Sequence, residues 1–114
     1  MSQRQMNLLQ GTLDVLVLQA LDAGPNHGYG VAQWIQRTTD GTLEIEDGAL
    51  YTSLHRLEKR GLLESSWGTS ENNRRAKYYA LTDAGTRELA DGARDWARYA
   101  EAVSKVLRTG AEPA

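Results

Sequence analysis

The sequence contains no cysteine, only two histidines and no long apolar run in its 114 residues. Without cysteine there is no disulfide framework, zinc knuckle or thiol nucleophile, and two histidines do not make a typical structural zinc site. Neither a metal nor a cofactor is expected. No apolar stretch approaches the roughly 18 to 20 residues of a membrane span, and the opening MSQRQMNLLQ lacks the apolar segment of a secretory signal. The expectation is a soluble cytoplasmic protein with no membrane partner. A chain of this length, 40% hydrophobic, can build one modest core and not two. Positive charge is also scarce: the formal net charge is -2, which taken alone argues against a nucleic-acid ligand.

What charge there is lies unevenly. Residues 1–46 carry 2 basic and 5 acidic residues, and residues 80–114 carry 5 and 6. Between them, residues 47–79 hold Arg56, Lys59, Arg60, Arg74, Arg75 and Lys77 against Asp47, Glu58, Glu64 and Glu71, a net +2. A cluster this small is either a solvated face or a binding surface, and its placement on the fold decides between them.

The apolar spacing places that cluster. Leu13, Leu16, Val17, Ala20 and Leu21 fall at i, i+3, i+4, i+7 and i+8, predicting a first helix over Thr12–Ala23 stopped by Gly24-Pro25. Val15 and Leu18 are apolar on its other side, so this helix is expected to bury two faces, one of them against another chain. A second helix is predicted over Tyr29–Thr39, with Val31, Ala32, Trp34 and Ile35 as its apolar set. The glycines of His27-Gly28-Tyr29-Gly30 match neither GxGxxG nor GxxxxGK[ST] and read as close backbone packing at a helix start. Thr42–Glu46 alternates like a short extended segment.

Asp47 is placed to cap a third helix running to Arg60, with Leu50, Leu54 and Leu57 as its buried edge and Gly61 at its C-terminal cap. Its outer face is predicted to present Tyr51, Thr52, Ser53, His55, Arg56 and Lys59, all able to donate a hydrogen bond or stack. Leu62–Trp67 and Ala76–Leu81 read as strands joined by the polar, basic run Gly68–Arg75. Three helices followed by a hairpin with a charged tip make a winged helix-turn-helix, mainly α with a small β-hairpin, over residues 1–81. In such a fold the third helix can enter a major groove while the wing reaches phosphates.

From Thr82 a long helix is predicted to Arg108, with residues 109–114 as a flexible tail. Leu89, Ala93, Trp96, Ala100, Val103 and Leu107 follow at spacings of 4, 3, 4, 3 and 4, an a/d seam. At 1.5 Å per residue this helix extends about 40 Å, more than the domain can cover by itself. Either a partner chain covers the remainder, which makes the protein a homodimer, or the helix folds back on its own domain. Trp96 either fills the dimer core or leaves a slot in which a flat aromatic ligand stacks, flanked by Val15, Leu18 and Asp14.

GTLDVLVLQAL, GPNHGYGVAQWI, EDGALYTSLHRLEKRGLLESSWG and NNRRAKYYALTDAG, in this order and spacing, resemble the PadR family of bacterial transcriptional regulators, in its shorter class with a single C-terminal helix. The match covers nearly the whole chain. Thr52 departs from the proline that many relatives carry after the tyrosine of the third helix. The resemblance implies a homodimeric repressor with dimer contacts from the first and last helices, and in some members a drug-sensing aromatic on the last helix.

These readings predict that Tyr51, Thr52, Ser53, His55, Arg56 and Lys59 meet base edges and nearby phosphates of a double-stranded operator. Asn73, Arg74, Arg75 and Lys77 should hold the backbone or enter the minor groove. His55 is equally readable as merely exposed, Tyr51 as half core, and Tyr78 and Tyr79 as packing within the wing. An enzyme is not expected. The only dense acids outside the last helix, Glu44, Glu46 and Asp47, read as a charge bias that favours a helix start. A winged-helix protein-interaction module would show an uncharged wing tip and apolar residues outward on the third helix, and Arg74, Arg75, Arg56 and Lys59 speak against both.

Overall fold

A computed structural model describes residues 10–111 of the chain. Its elements are α1 (Gln10–Ala20), β1 (Asn26–His27), α2 (Gly28–Thr38), α3 (Asp47–Lys59), β2 (Leu63–Thr69), β3 (Arg75–Leu81) and α4 (Asp83–Ala111). The three strands form one antiparallel sheet in the order β1-β3-β2. This is the winged helix, with four helices around a small sheet and a long C-terminal helix.

The apolar spacing builds the core as the sequence predicts. Leu13, Val17 and Leu21 from α1 and the turn after it, Val31 and Ile35 from α2, and Leu50, Leu54 and Leu57 from α3 converge in one buried cluster, joined by Leu62, Leu63, Tyr79 and Leu89. Burying each large aliphatic side chain contributes about 1.5 to 3 kcal/mol, so this cluster fixes how the three helices pack. Leu18 also belongs to it, 1% exposed; the expectation that it lies on a face left for another chain does not hold.

Helix ends are set by local chemistry. Gly61 adopts φ +78, a conformation costly for residues with a Cβ. Its N–H donates to Glu58 O at 2.9 Å and that of Leu62 to Leu57 O at 2.9 Å, which closes α3 in a Schellman motif. Thr82 Oγ1 accepts from Gly85 N at 3.0 Å and donates to Gly61 O at 2.7 Å, so one hydroxyl starts α4 and ties it to the end of α3.

Several boundaries differ from expectation. α1 ends at Ala20, and Leu21–Ala23 form a turn. Glu46 rather than Asp47 occupies the cap position of α3, without a side-chain cap bond. Residues 42–46 are loop and not an extended strand. The wing strands run to Thr69 and from Arg75, leaving 70–74 as the turn. α4 continues to Ala111, so three residues of the expected loose tail are helical, and 112–114 lie outside the described residues. Two-residue β1 was not foreseen. It pairs Asn26 with Tyr79 and His27 with Tyr78, and so anchors the start of α2 to the wing.

Candidate nucleic-acid interface

Strand alternation and the β2–β3 register put Trp67, Thr69, Arg75 and Lys77 on the same face of the wing as buried Tyr79. Beyond the core this face looks across a cleft of about 600 Å³ toward the start of α2 and the outer row of α3. Its walls are His27, Gly28, Tyr29, Tyr51 and His55 on the helical side and Trp67, Ser70, Glu71, Asn72, Arg74, Arg75 and Lys77 on the wing. Five of the ten expected DNA-binding residues meet here: Tyr51, His55, Arg74, Arg75 and Lys77. Thr52 and Lys59 are exposed on α3, and Asn73 is exposed in the turn with φ +59.

Two expected contact residues do not face outward in that way. Ser53 is 0% exposed and donates from Oγ to Asp14 Oδ1 at 2.7 Å. The position lies on the α1 side of α3, so the prediction that Ser53 sits on the outer face is corrected. Arg56 is half-buried and turned toward α1, with Nη2 at 2.5 Å from Asp14 Oδ1 and Nε at 3.2 Å from Oδ2.

The remaining charges are distributed to leave the wing positive. Lys77 Nζ is 3.4 Å from Glu58 Oε1. Ser65 Oγ donates to Glu58 at 2.5 Å, and that hydrogen bond, with Lys77 nearby, holds the Glu58 carboxyl below its ordinary range. Glu71 is held low by its hydrogen bond from His27. Among the described residues, Arg74, Lys59 and Arg60 enter no ion pair, and Arg75 lies over the Trp67 ring at 4.5 Å. Half of the acids in the +2 segment are thereby occupied, while four of its six cations carry no paired carboxylate.

His27, Tyr29, Trp67 and Glu71 join the cleft without having been expected there. His27 Nδ1 accepts from Gly30 N at 3.0 Å, so Nε2 carries the proton and donates to Glu71 Oε1 at 3.0 Å. This caps α2 and holds the wing turn to it. An added Cβ at Gly30 would lie 2.2 Å from Asn26 Oδ1, and one at Gly28 2.8 Å from Tyr51 Oη, so both glycines serve close packing, as expected. Nothing in the sequence signals a contact 44 residues apart. Trp67 was legible only as an aromatic two residues beyond Ser65 on the inward face of a strand.

A second, apolar groove of about 630 Å³ runs between α1, the α2–α3 loop and α4, lined by Thr12, Val15, Leu16, Gln19, Thr39, Thr42, Leu43, Leu89, Ala93 and Trp96. Val15 and Trp96, two of the four residues read as flanking a ligand, line it. Asp14 and Leu18 do not. They border a separate cavity of about 100 Å³ beside Leu57, Arg60, Glu88 and Gly92, and Asp14 is engaged by α3. Of the α4 seam, Leu89 is buried in the chain's own core, whereas Trp96, Val103 and Leu107 are 47, 38 and 70% exposed. Ala93 is exposed, Ala100 half-buried, and Tyr99 and Val106 add further exposed apolar surface.

A winged-helix domain that presents a cationic cleft and carries a long helix with an uncovered apolar stripe defines the class. The family model described as the transcriptional regulator PadR-like family matches residues 17–91, about two thirds of the chain, and the chain belongs to this family. Its members are transcriptional regulators and not enzymes. A transcriptional regulator from Clostridium thermocellum is 29% identical and superposes with a TM-score of 0.76, covering 84% of this chain and 93% of that one. A PadR family transcriptional regulator from Eggerthella lenta is 36% identical with a TM-score of 0.71, covering 88% and 85%. An uncharacterized protein of Lysinibacillus sphaericus is 28% identical over 97 residues, 85% of this chain and 89% of that one. Among the described residues no helix is long and apolar enough to cross a membrane.

Proposed function

We propose that this regulator is a homodimeric repressor that acts in the bacterial cytoplasm by binding a pseudo-palindromic double-stranded operator, and that a planar apolar effector relieves repression. The observation that carries the reading is the cleft between α3 and the wing, where Arg74 and Arg75, in no ion pair among the described residues, stand opposite Tyr51 and His55. Two copies pair through the exposed α4 stripe of Trp96, Val103 and Leu107. Their α3 helices then enter successive major grooves about one helical turn apart, roughly 34 to 36 Å.

In this arrangement Tyr51, Thr52 and His55 address base edges. Lys59, Asn73, Arg74 and Arg75 hold phosphates, and Lys77 shares its charge between Glu58 and the backbone. The effector stacks on Trp96 in the groove against Val15. It relieves repression because it binds one dimer arrangement better than the arrangement that fits DNA. Selection of bound fragments from random DNA, followed by sequencing, tests the reading. A palindromic consensus is expected; absence of any enrichment contradicts it and favours a winged-helix module that binds protein.

A further inference from the structure

Between α1 and α3 an otherwise apolar contact contains one polar cluster. Asp14 is 9% exposed on a helix whose neighbouring positions, Leu13, Val17 and Leu18, are core. Its two carboxylate oxygens take three donors from a single turn of α3: Ser53 Oγ at 2.7 Å and Arg56 Nη2 at 2.5 Å on Oδ1, and Arg56 Nε at 3.2 Å on Oδ2. The Arg56 side chain keeps 26% of its surface exposed and that of Asp14 keeps 13%, so solvent screens the pair only in part. Among the described residues no buried side-chain polar atom lacks a partner, so the cluster is fully satisfied.

Apolar packing fixes a separation between helices but tolerates small rolls through rotamer adjustment. A guanidinium that grips both oxygens of a carboxylate constrains the angle as well. Here that constraint acts on the helix that places Tyr51 and His55 in the cleft and leaves Thr52 and Lys59 exposed. At its other end it acts on α1, whose next residue, Val15, lines the groove shared with Trp96. Val15 is also closely approached by α4, since a Cβ added to Gly92 would lie 2.9 Å from Val15 Cγ2. α1 is therefore a spacer wedged between α4 and α3.

We propose that Asp14 and Arg56 are positioning residues for DNA recognition: the clamp sets the angle at which α3 is presented, and Arg56 acts through that angle instead of touching DNA. This rests on the DNA-binding reading above. An arginine on the third helix of a winged domain invites assignment as a base or phosphate contact, and the geometry assigns its donors to α1. The consequence is a split between two properties that a direct contact would change together. Specific binding depends on where α3 places its side chains, whereas non-specific binding depends on the number of phosphates neutralised.

The test uses the full chain with the operator duplex recovered by selection and a scrambled duplex of equal length, titrated across about 50 to 200 mM salt. Asp14→Asn and Arg56→Gln are each expected to lower operator affinity on the order of tenfold, with the double variant no weaker than the worse single, because both remove one interaction. Binding to the scrambled duplex and the salt slope should stay at wild-type values. The proposal is overturned if Arg56→Gln flattens the slope by about 0.9 and weakens scrambled binding as well, the signature of a lost phosphate contact. It is equally overturned if Asp14→Asn leaves operator affinity intact. Should either variant fail to fold by circular dichroism, Arg56→Lys keeps the charge and loses the two-pronged grip. It is expected to lose operator preference at unchanged slope, and retained preference overturns the clamp. A wild-type chain that shows no operator preference at all refutes the DNA-binding reading itself, a result distinct from any of these.

Discussion

The guanidinium of Arg75 lies 4.5 Å above the ring of Trp67, across the two strands of the wing. An arginine at a wing edge ordinarily samples many rotamers. Stacked on an indole that is itself 61% exposed, it is held in place while its N–H edges stay open to solvent. Trp67→Ala is expected to weaken binding to any duplex by a few-fold, since an exposed cation–π contact is worth about 0.5 to 1 kcal/mol. The salt slope should not change, because Arg75 keeps its charge. Fluorescence anisotropy with labelled duplexes checks both.

The start of α4 is seated against the end of α3 by close approach. A Cβ at Gly85 would lie 2.0 Å from the Leu62 carbonyl oxygen, which is backbone and cannot swing away. Alanine gains about 1 kcal/mol of helix propensity over glycine, but overpacking of this kind costs about 1 to 3 kcal/mol or more. Gly85→Ala is therefore expected to lower stability, whereas Gly48→Ala, with open space around its added methyl, should leave it unchanged or raise it slightly. Denaturant midpoints of the two variants decide the matter.

Acid should loosen the wing from α3. Glu58 is held below its ordinary value, near 4.5, by the Ser65 hydroxyl and by Lys77. A carboxylate whose folded pKa is depressed contributes stability above its unfolded pKa and loses it as pH falls through the folded one. The stability gap between wild type and Glu58→Gln is thus expected to be full above about pH 4.5 and to shrink below it. Urea unfolding at a series of pH values from neutral to acid measures the gap; one that stays constant contradicts the assignment.

The exposed stripe on α4 predicts an oligomeric state. Val103→Glu combined with Leu107→Glu places charge where the dimer seam is proposed, far from the core residues of the winged domain. Sedimentation should report a monomer with near-native helix content and reduced operator affinity. An unchanged dimer would move the interface elsewhere.

Much of this was legible in the sequence because the relevant signals are periodic. Leu50, Leu54 and Leu57 announce the buried edge of α3, Gly61 its end and Thr82 the start of α4, since spacing and caps are local. The faces of α3 were less legible. Ser53 falls three residues after Leu50 and four before Leu57, on the buried edge itself, but its hydroxyl made it look like a surface residue; what the spacing did not show is its partner, Asp14, on a helix 39 residues earlier. The same carboxylate turns Arg56 from a candidate contact into a tether. β1 was invisible because two residues carry no period, and the His27 to Glu71 bond because it joins distant segments. The net charge is uninformative for a related reason: a total of -2 says nothing about which acids are already occupied by a partner, as Glu58 and Glu71 are.

In the proposed function, the wing of this acidic chain grips DNA phosphates. The most direct measurement is the salt dependence of operator affinity for the wild type and for the double variant Arg74→Ala/Arg75→Ala. If each arginine neutralises one phosphate, the plot of log K against log salt should flatten by about 2, each contact contributing roughly -0.9 to the slope. An unchanged slope would contradict phosphate contacts by the wing.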